Sequence, residues 1–294
     1  SASLVGSEMC IRDRKEGTGY YIYSEFKPNP TTVNINQGAE EFSANECDFL
    51  ISVGGGSAHD CAKAISVVAA CGGVIEDYRG VDKSSHTYPL IAVTTTAGTG
   101  SECTMDYVVV DEEKNEKYGN CDRNVLPVLA VDDCGLMMNM PANLTAGTGM
   151  DALTHAVEAY VSVDGALITS ELAATAVRLV FTHLERAVRQ PDEESREGMA
   201  VAQFIAGLAF GNAGCGLIHS MSHQLSAVYD LPHGLCNALL MPTASRLNMK
   251  DERAIERYAK LCRAVFPVEC DKWQREEQAE YLIGRIEALS EAVG

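Results

Sequence analysis

The sequence predicts an α/β domain followed by an all-helical domain. Three observations carry this. Short apolar runs alternate with helical stretches as far as about residue 141, strand signals vanish after Met140-Pro141, and the early runs end in glycine- or threonine-rich turns. Short strands feeding helices in this way imply a parallel sheet with helices on its faces.

The elements follow in order. Asp48–Val53 (DFLISV) is a short apolar run that ends at Gly54-Gly55-Gly56 and is followed by a helical stretch from Ala58 to Ala70. Pro89–Thr94 (PLIAVT) is a second run, closed by a Thr/Gly loop, and Tyr107–Val110 and Val128–Val131 are further β-branched runs. Between them YGNCDRN, residues 118–124, is polar where a strand is due, which leaves its pairing open. Beyond Pro141, residues 143–161, 170–188, 194–209, 215–229 and 252–265 all repeat at helical spacing. The chain therefore divides into residues 20–141 and 142–294. Residues 1–19 fit nothing downstream and read as a non-native appendage.

Composition bounds the function. A chain of 294 residues, 46% hydrophobic, buries a sizeable core. A net charge of −18 without a Lys/Arg cluster argues against nucleic acid or an anionic membrane as partner. The 11 cysteines are scattered without a CxxC, which suits reduced thiols and a cytoplasmic setting. No apolar run reaches the roughly 18 residues that span a bilayer.

The chemistry concentrates in four residues. Asp151 and His155 lie at i, i+4 in TGMDALTHAVEAY, so a helix presents both on one face. His219 and His233 flank a segment long enough to end one helix, turn at Asp230-Leu231-Pro232 and begin another. One carboxylate and three imidazoles, with no thiolate, suit a borderline divalent ion such as iron(II) or zinc. Of the 7 histidines, His219, His223 and His233 fall in a stretch whose only charged residue from Cys215 to Pro242 is Asp230. Asp151 also interrupts an apolar helical pattern, where an unpaired carboxylate is costly. A further motif, VGGGSAHD, sets glycines between a strand and a helix. Free N–H groups at such a helix start favour a phosphate, though an ordinary βα turn has the same form. Ser57 and Asp60 there resemble a capping box.

DALTHAVEAY, GLIHSMSHQLSAVYDLPHGLCNALLMP, VGGGSAHDCAKAI and TTTAGTGSE together resemble the iron-dependent (group III) alcohol dehydrogenases, from about Lys27 to Gly294. Within that family the chain looks most like the 1,3-propanediol dehydrogenase group. The resemblance implies a Rossmann-like parallel-sheet domain plus an all-α domain, the dehydroquinate synthase-like fold, with both domains incomplete at the chain ends. It implies Asp151, His155, His219 and His233 as metal ligands, and Gly55, Gly56 and Ser57 as the pyrophosphate loop. Thr95, Thr96 and Thr99 would face the nicotinamide, with Asn29 and Lys117 as further cofactor contacts. His223 matches a histidine that lines the site without binding metal; a merely buried role fits it equally. The activity implied is metal-dependent hydride transfer between a short-chain primary alcohol or diol and its aldehyde. The cofactors would be iron(II), with zinc able to use the same ligands, and NAD, with NADP left open. A homo-oligomer is implied for the full-length protein. Two alternatives stand beside this reading: a glycerol-dehydrogenase-like sibling and a catalytically inactive metal-binding fragment.

Overall fold

The computed structural model describes residues 2–5, 19–229 and 231–294. Asp230 of the expected turn, and most of the stretch 1–19, lie outside the described residues. The chain forms two compact units, one of residues up to Thr95 with Ser101–Asp133, the other of Thr96–Gly100 with Cys134–Gly294. The helical unit thus begins before residue 142. Met137, in a short 3-10 turn at Cys134–Met137, is buried among the helices' apolar side chains.

The first unit runs β1 (Ala2–Val5), β2 (Tyr20–Tyr23), α1 (Thr32–Ala44), β3 (Phe49–Gly54), α2 (Gly56–Cys71), β4 (Leu90–Thr94), β5 (Asp106–Asp111), β6 (Glu116–Cys121) and β7 (Leu129–Asp132). Its five-stranded sheet has the order β2-β1-β3-β4-β7 and is parallel throughout. Two expectations are corrected here. Ala2–Val5, inside the stretch read as an appendage, pairs on both sides as β1; four residues beside a polar segment gave too short a pattern to read. Tyr107–Val110 does not join the sheet. As part of β5 it pairs antiparallel with β6, so the polar stretch beginning at Tyr118 does contain strand. Tyr118 and Asn120 on β6 are buried, which is the period-2 signal that the exposed Gly119 between them obscures.

Local chemistry explains the helix starts. Thr31 caps α1 by accepting from the Asn34 N–H at 3.2 Å, and Asn34 Oδ1 accepts from the Thr31 N–H at 3.3 Å. The register sets Gly54 opposite Thr94 and Thr94 opposite Asp132, so the glycine turn and the threonine loop leave the sheet at one end. Gly54, at φ 155°, is where the turn requires glycine, because a Cβ there would meet the Ala58 Cβ at 2.8 Å. The core beneath is Ile35, Phe42, Leu50, Ile65 and Tyr107.

The second unit consists of α3 (Ala142–Val161), α4 (Leu167–Arg189), α5 (Glu193–Ala213), α6 (Leu217–Tyr229), α7 (His233–Asn248), α8 (Glu252–Val265), α9 (Pro267–Cys270) and α10 (Arg275–Val293). Small buried residues let these helices approach closely: Ala152, Ala156, Ala173, Ala176, Ala202 and Ala206 are fully buried. At Gly149 a Cβ would strike Leu184 Cδ1 at 2.2 Å. By length and composition α4 alone among the described helices could cross a membrane. Its apolar face is used otherwise, since Ala173, Val177, Val180 and Leu184 pack in the helical core.

His59, on α2, is fully buried, with Nδ1 2.6 Å from the Ser52 Oγ. Burial lowers its pKa from 6.5 to about 3, with Lys63 acting in the same direction. A depressed folded-state value means that the unfolded chain binds the proton first. His59 therefore contributes stability that is present above pH 6.5 and is lost as pH falls towards 3. The expected slope is about 1.4 kcal/mol per pH unit for one proton. Denaturant titrations at stepped pH should show a slope steeper by that amount in the wild type than in His59→Asn; equal slopes contradict the assignment.

Candidate metal centre

Three helices of the second unit deliver the site, each with a pair at i, i+4. Asp151 and His155 lie on α3, His219 and His223 on α6, and His233 and Asn237 on α7. Close packing makes the meeting geometrically feasible. Gly234, beside His233, sits against α3 so tightly that a Cβ would fall 2.0 Å from the Gly147 carbonyl oxygen. A side chain there would push α7 away from α3, the helix that carries Asp151.

Asp151, His219 and His233 each place a donor atom within 4.8 Å of the other two. Asp151 Oδ1 is 3.6 Å from His219 Nε2 and 3.4 Å from His233 Nε2. His155 Nδ1 stands 4.0 Å from the same oxygen and has no hydrogen-bond partner although it is buried. The His155 ring is stacked between Phe210, at 4.1 Å, and His219, at 4.4 Å. It stands at the edge of the tight set and groups with His219 and Cys215. His223 lies outside both sets, its ring centre 5.1 Å from that of His233.

Two residues that the sequence reading missed complete the site. Glu158, one turn beyond His155 on α3, holds His219 with Oε2 2.6 Å from Nδ1. Its other oxygen accepts the Ile218 N–H at 2.6 Å, at the start of α6, where a carboxylate also meets the helix dipole. A carboxylate can only accept, so Nδ1 carries hydrogen and Nε2 is left facing Asp151. Gly216 leaves room beside it, because a Cβ there would lie 2.9 Å from Glu158 Oε1 and crowd the carboxylate. Asn237 donates to Asp151 Oδ1 at 2.7 Å, and the same amide nitrogen lies 3.3 Å and 3.2 Å from His219 Nε2 and His233 Nε2. The Asp151 oxygen and two imidazole nitrogens thus converge on one amide nitrogen. Spacing could have flagged both residues: Asn237 repeats i, i+4 after His233, and Glu158 continues the Asp151–His155 face.

The electrostatics agree with a cation site. Burial alone would raise the Asp151 carboxyl, yet His155, His233 and His219 hold it far below the usual carboxylate range. Burial lowers His155 to about 3, against the pull of Asp151, so this imidazole is neutral and able to ligate. Burial also opposes charge on His219, but Cys215, Asp151 and Glu158 raise it well above its ordinary value. One buried carboxylate, three imidazoles and an orphaned buried nitrogen fit a divalent ion with nitrogen and oxygen preference.

The cofactor candidates fall in two places. In the α/β unit Asn29, Ser57 and Lys117 meet: the Asn29 N–H donates to Ser57 Oγ at 3.1 Å and Lys117 Nζ donates to Asn29 Oδ1 at 2.9 Å. Asn29 has φ 58°, a left-handed conformation that Asn tolerates well. Gly55 is the N-cap of α2 and Gly56 its first residue. The expected capping by Ser57 is corrected, since Ser57 lies inside the helix and turns to Asn29. Asp60 instead accepts from Ser101 Oγ and the Val108 N–H. Thr95 is tied to the glycine turn through its N–H to the Gly54 carbonyl at 3.0 Å. Thr96 and Thr99 belong to the Thr96–Gly100 segment, which packs with the helices. Within that segment a Cβ on Gly98 would strike Thr148, and one on Gly100 would strike Gly207.

A sequence model described as the C-terminal part of the Fe-containing alcohol dehydrogenase family matches residues 145–294, and one described as iron-containing alcohol dehydrogenase matches residues 8–134. The chain belongs to the iron-containing alcohol dehydrogenase family. Among relatives of this alcohol dehydrogenase family member, alcohol dehydrogenase 4 of Schizosaccharomyces pombe is 46% identical over 271 residues, 92% of this chain and 63% of that protein. The NAD-dependent methanol dehydrogenase of Bacillus methanolicus is 43% identical over 253 residues, 85% of this chain and 66% of that protein. A crystal structure of a 1,3-propanediol oxidoreductase superposes with a TM-score of 0.93 at 37% identity, over 100% of this chain and 79% of that one. The chain therefore spans 63% and 66% of the length of these two curated relatives. The second of the two sequence models begins at residue 8, inside the stretch 1–19.

If Glu158 orients His219 for an ion, Glu158→Gln should weaken divalent-ion binding about 10–100-fold while the helical circular dichroism stays unchanged. Calorimetric titration of the two metal-free proteins measures this. Equal affinities contradict the orienting role.

Proposed function

We propose that this chain carries the catalytic apparatus of an NAD-dependent alcohol dehydrogenase, interconverting a short-chain primary alcohol or diol and its aldehyde with iron(II) as its metal. The convergence of Asp151, His219 and His233, with His155 beside them, is the observation that carries the reading. Relatives named as alcohol, methanol and 1,3-propanediol dehydrogenases support the substrate class. Asp151, His155, His219 and His233 would hold the ion, Glu158 fixes the His219 nitrogen that faces it, and Asn237 fixes the Asp151 oxygen. When bound, the ion supplies a Lewis acid that lowers the pKa of a substrate hydroxyl and polarises the carbonyl in the reverse direction.

The remaining steps rest on side chains of this protein. His223, beside His233, is the group in reach to pass a hydroxyl proton towards solvent. The uncapped start of α2, with Gly55, Gly56 and Ser57, suits a pyrophosphate. Asn29 and Lys117 brace that turn through Ser57, and Thr95, Thr96 and Thr99 would border the nicotinamide that accepts the hydride. Iron(II) is preferred over zinc because four protein donors already complete zinc's favoured number, whereas iron(II) accommodates further ligands. A cytoplasmic setting and assembly of the full-length protein into a homo-oligomer complete the proposal. A catalytically inactive metal-binding protein is the second reading, and the position of all the candidate ligands within the helical unit alone is what favours it.

The test is an anaerobic assay of the iron(II)-loaded chain with NAD, and separately NADP, against ethanol, butanol and propane-1,3-diol. The reading expects alcohol-dependent formation of reduced nicotinamide, less with zinc, and its loss in Asp151→Ala. Stoichiometric iron binding with no turnover on any alcohol would select the inactive metal-binding reading. Full activity with zinc and none with iron(II) would overturn the metal assignment.

A further inference from the structure

A second group of donor atoms overlaps the first. Cys215 Sγ, His155 and His219 lie within 4.8 Å of one another, and Cys215 is exposed while both histidines are buried. Cys215 follows Gly214, whose φ of 75° ends α5, and precedes the start of α6 at Leu217. This short link lays the thiol over the two imidazoles from the solvent side. His155 Nδ1 is buried and makes no hydrogen bond, so His155 keeps a ring nitrogen with donor capacity uncommitted. Cys215 is not in a disulfide.

The two groups cannot be filled together. Both use His219, and its Nδ1 is bonded to Glu158, so Nε2 is the nitrogen left for an ion. One nitrogen lone pair serves one ion. The first group offers Asp151 and His233, a carboxylate and an imidazole suited to iron(II). The second offers a thiolate with imidazoles, the set that zinc and softer cations prefer. We propose that Cys215, His155 and His219 form a second, competing metal site that captures thiophilic divalent cations such as zinc and cadmium and excludes iron(II) from the Asp151 set. On binding, the thiol proton passes to solvent as the sulfur–metal bond forms, and solvent completes the coordination. The inference rests on the metal centre described above but not on the identity of the alcohol.

Cadmium is the probe, added to the metal-free full chain and followed by sulfur-to-cadmium charge-transfer absorption. Other cysteines contribute a background, so the reading is the difference between wild type and Cys215→Ser. The wild type should show an additional, tighter class of cadmium with its charge-transfer band. Cys215→Ser should lose that band and bind this class at least about tenfold more weakly, no less than the loss of an outer-shell contact costs. His155→Ala should weaken the same class, providing a second variant that leaves the thiol in place. Wild type preloaded with iron(II) should lack the band until iron is released. Identical titrations of wild type and Cys215→Ser, or the full band with iron still bound, overturn the proposal. Asp151→Asn separates the two readings: it should lose iron binding and retain the cadmium band. Failure of the wild type to bind iron would count against the proposed function and leave the cadmium result standing.

Discussion

Asp151 carries a charge at 3% exposure in the middle of an apolar helix, and much of the helical unit is arranged around that fact. An uncompensated buried carboxylate costs several kcal/mol. Three imidazoles and the Asn237 amide surround it; His155 comes from α3 itself, and the others come from α6 and α7, which must approach α3 closely. The constraint passes outward from there. Gly234 is needed for α7 to reach α3, Gly216 leaves room for Glu158, and Glu158 fixes the ring of His219. Alanines along α3, α4 and α5 allow the remaining helices to close around the group.

The same arrangement explains why the set is more suited to holding a cation than to stabilising the fold. Asn237 sets one amide nitrogen among the Asp151 oxygen and two imidazole nitrogens, and its own Oδ1 is buried without a partner. His155 also keeps a buried nitrogen without a partner. Buried polar groups left in this state cost stability, and a bound ion is one of the few things that offsets that cost. An ion at the centre replaces several imperfect contacts with direct bonds.

Much of the helical unit was legible in the sequence because its signals are local. The i, i+4 pair on α3 and the clustered histidines needed only helical periodicity to point to a common site. Glu158 and Asn237 escaped because each reads as an ordinary surface-type residue until the partner helix is in place. His155 was expected as an equal ligand, and its actual position depends on stacking between Phe210 and His219, which no spacing reveals. The α/β unit was less legible. Strands β3, β4 and β7 are continuous apolar runs of a buried parallel sheet and were read nearly residue for residue. β1 is four residues long beside a polar stretch, and β5 with β6 forms an antiparallel hairpin whose second strand is too polar to read as one. Ser57 was misread as a cap because its partner, Asn29, lies 28 residues earlier.

X-ray absorption at the iron edge of the anaerobically iron-loaded chain tests the central claim most directly, because it reports the atoms bound to the ion itself. The account predicts a first shell of nitrogen and oxygen alone, with the outer-ring scattering of several imidazoles, and loss of that signature in Asp151→Ala. A sulfur neighbour in the first shell of iron, or an unchanged spectrum in Asp151→Ala, would contradict it.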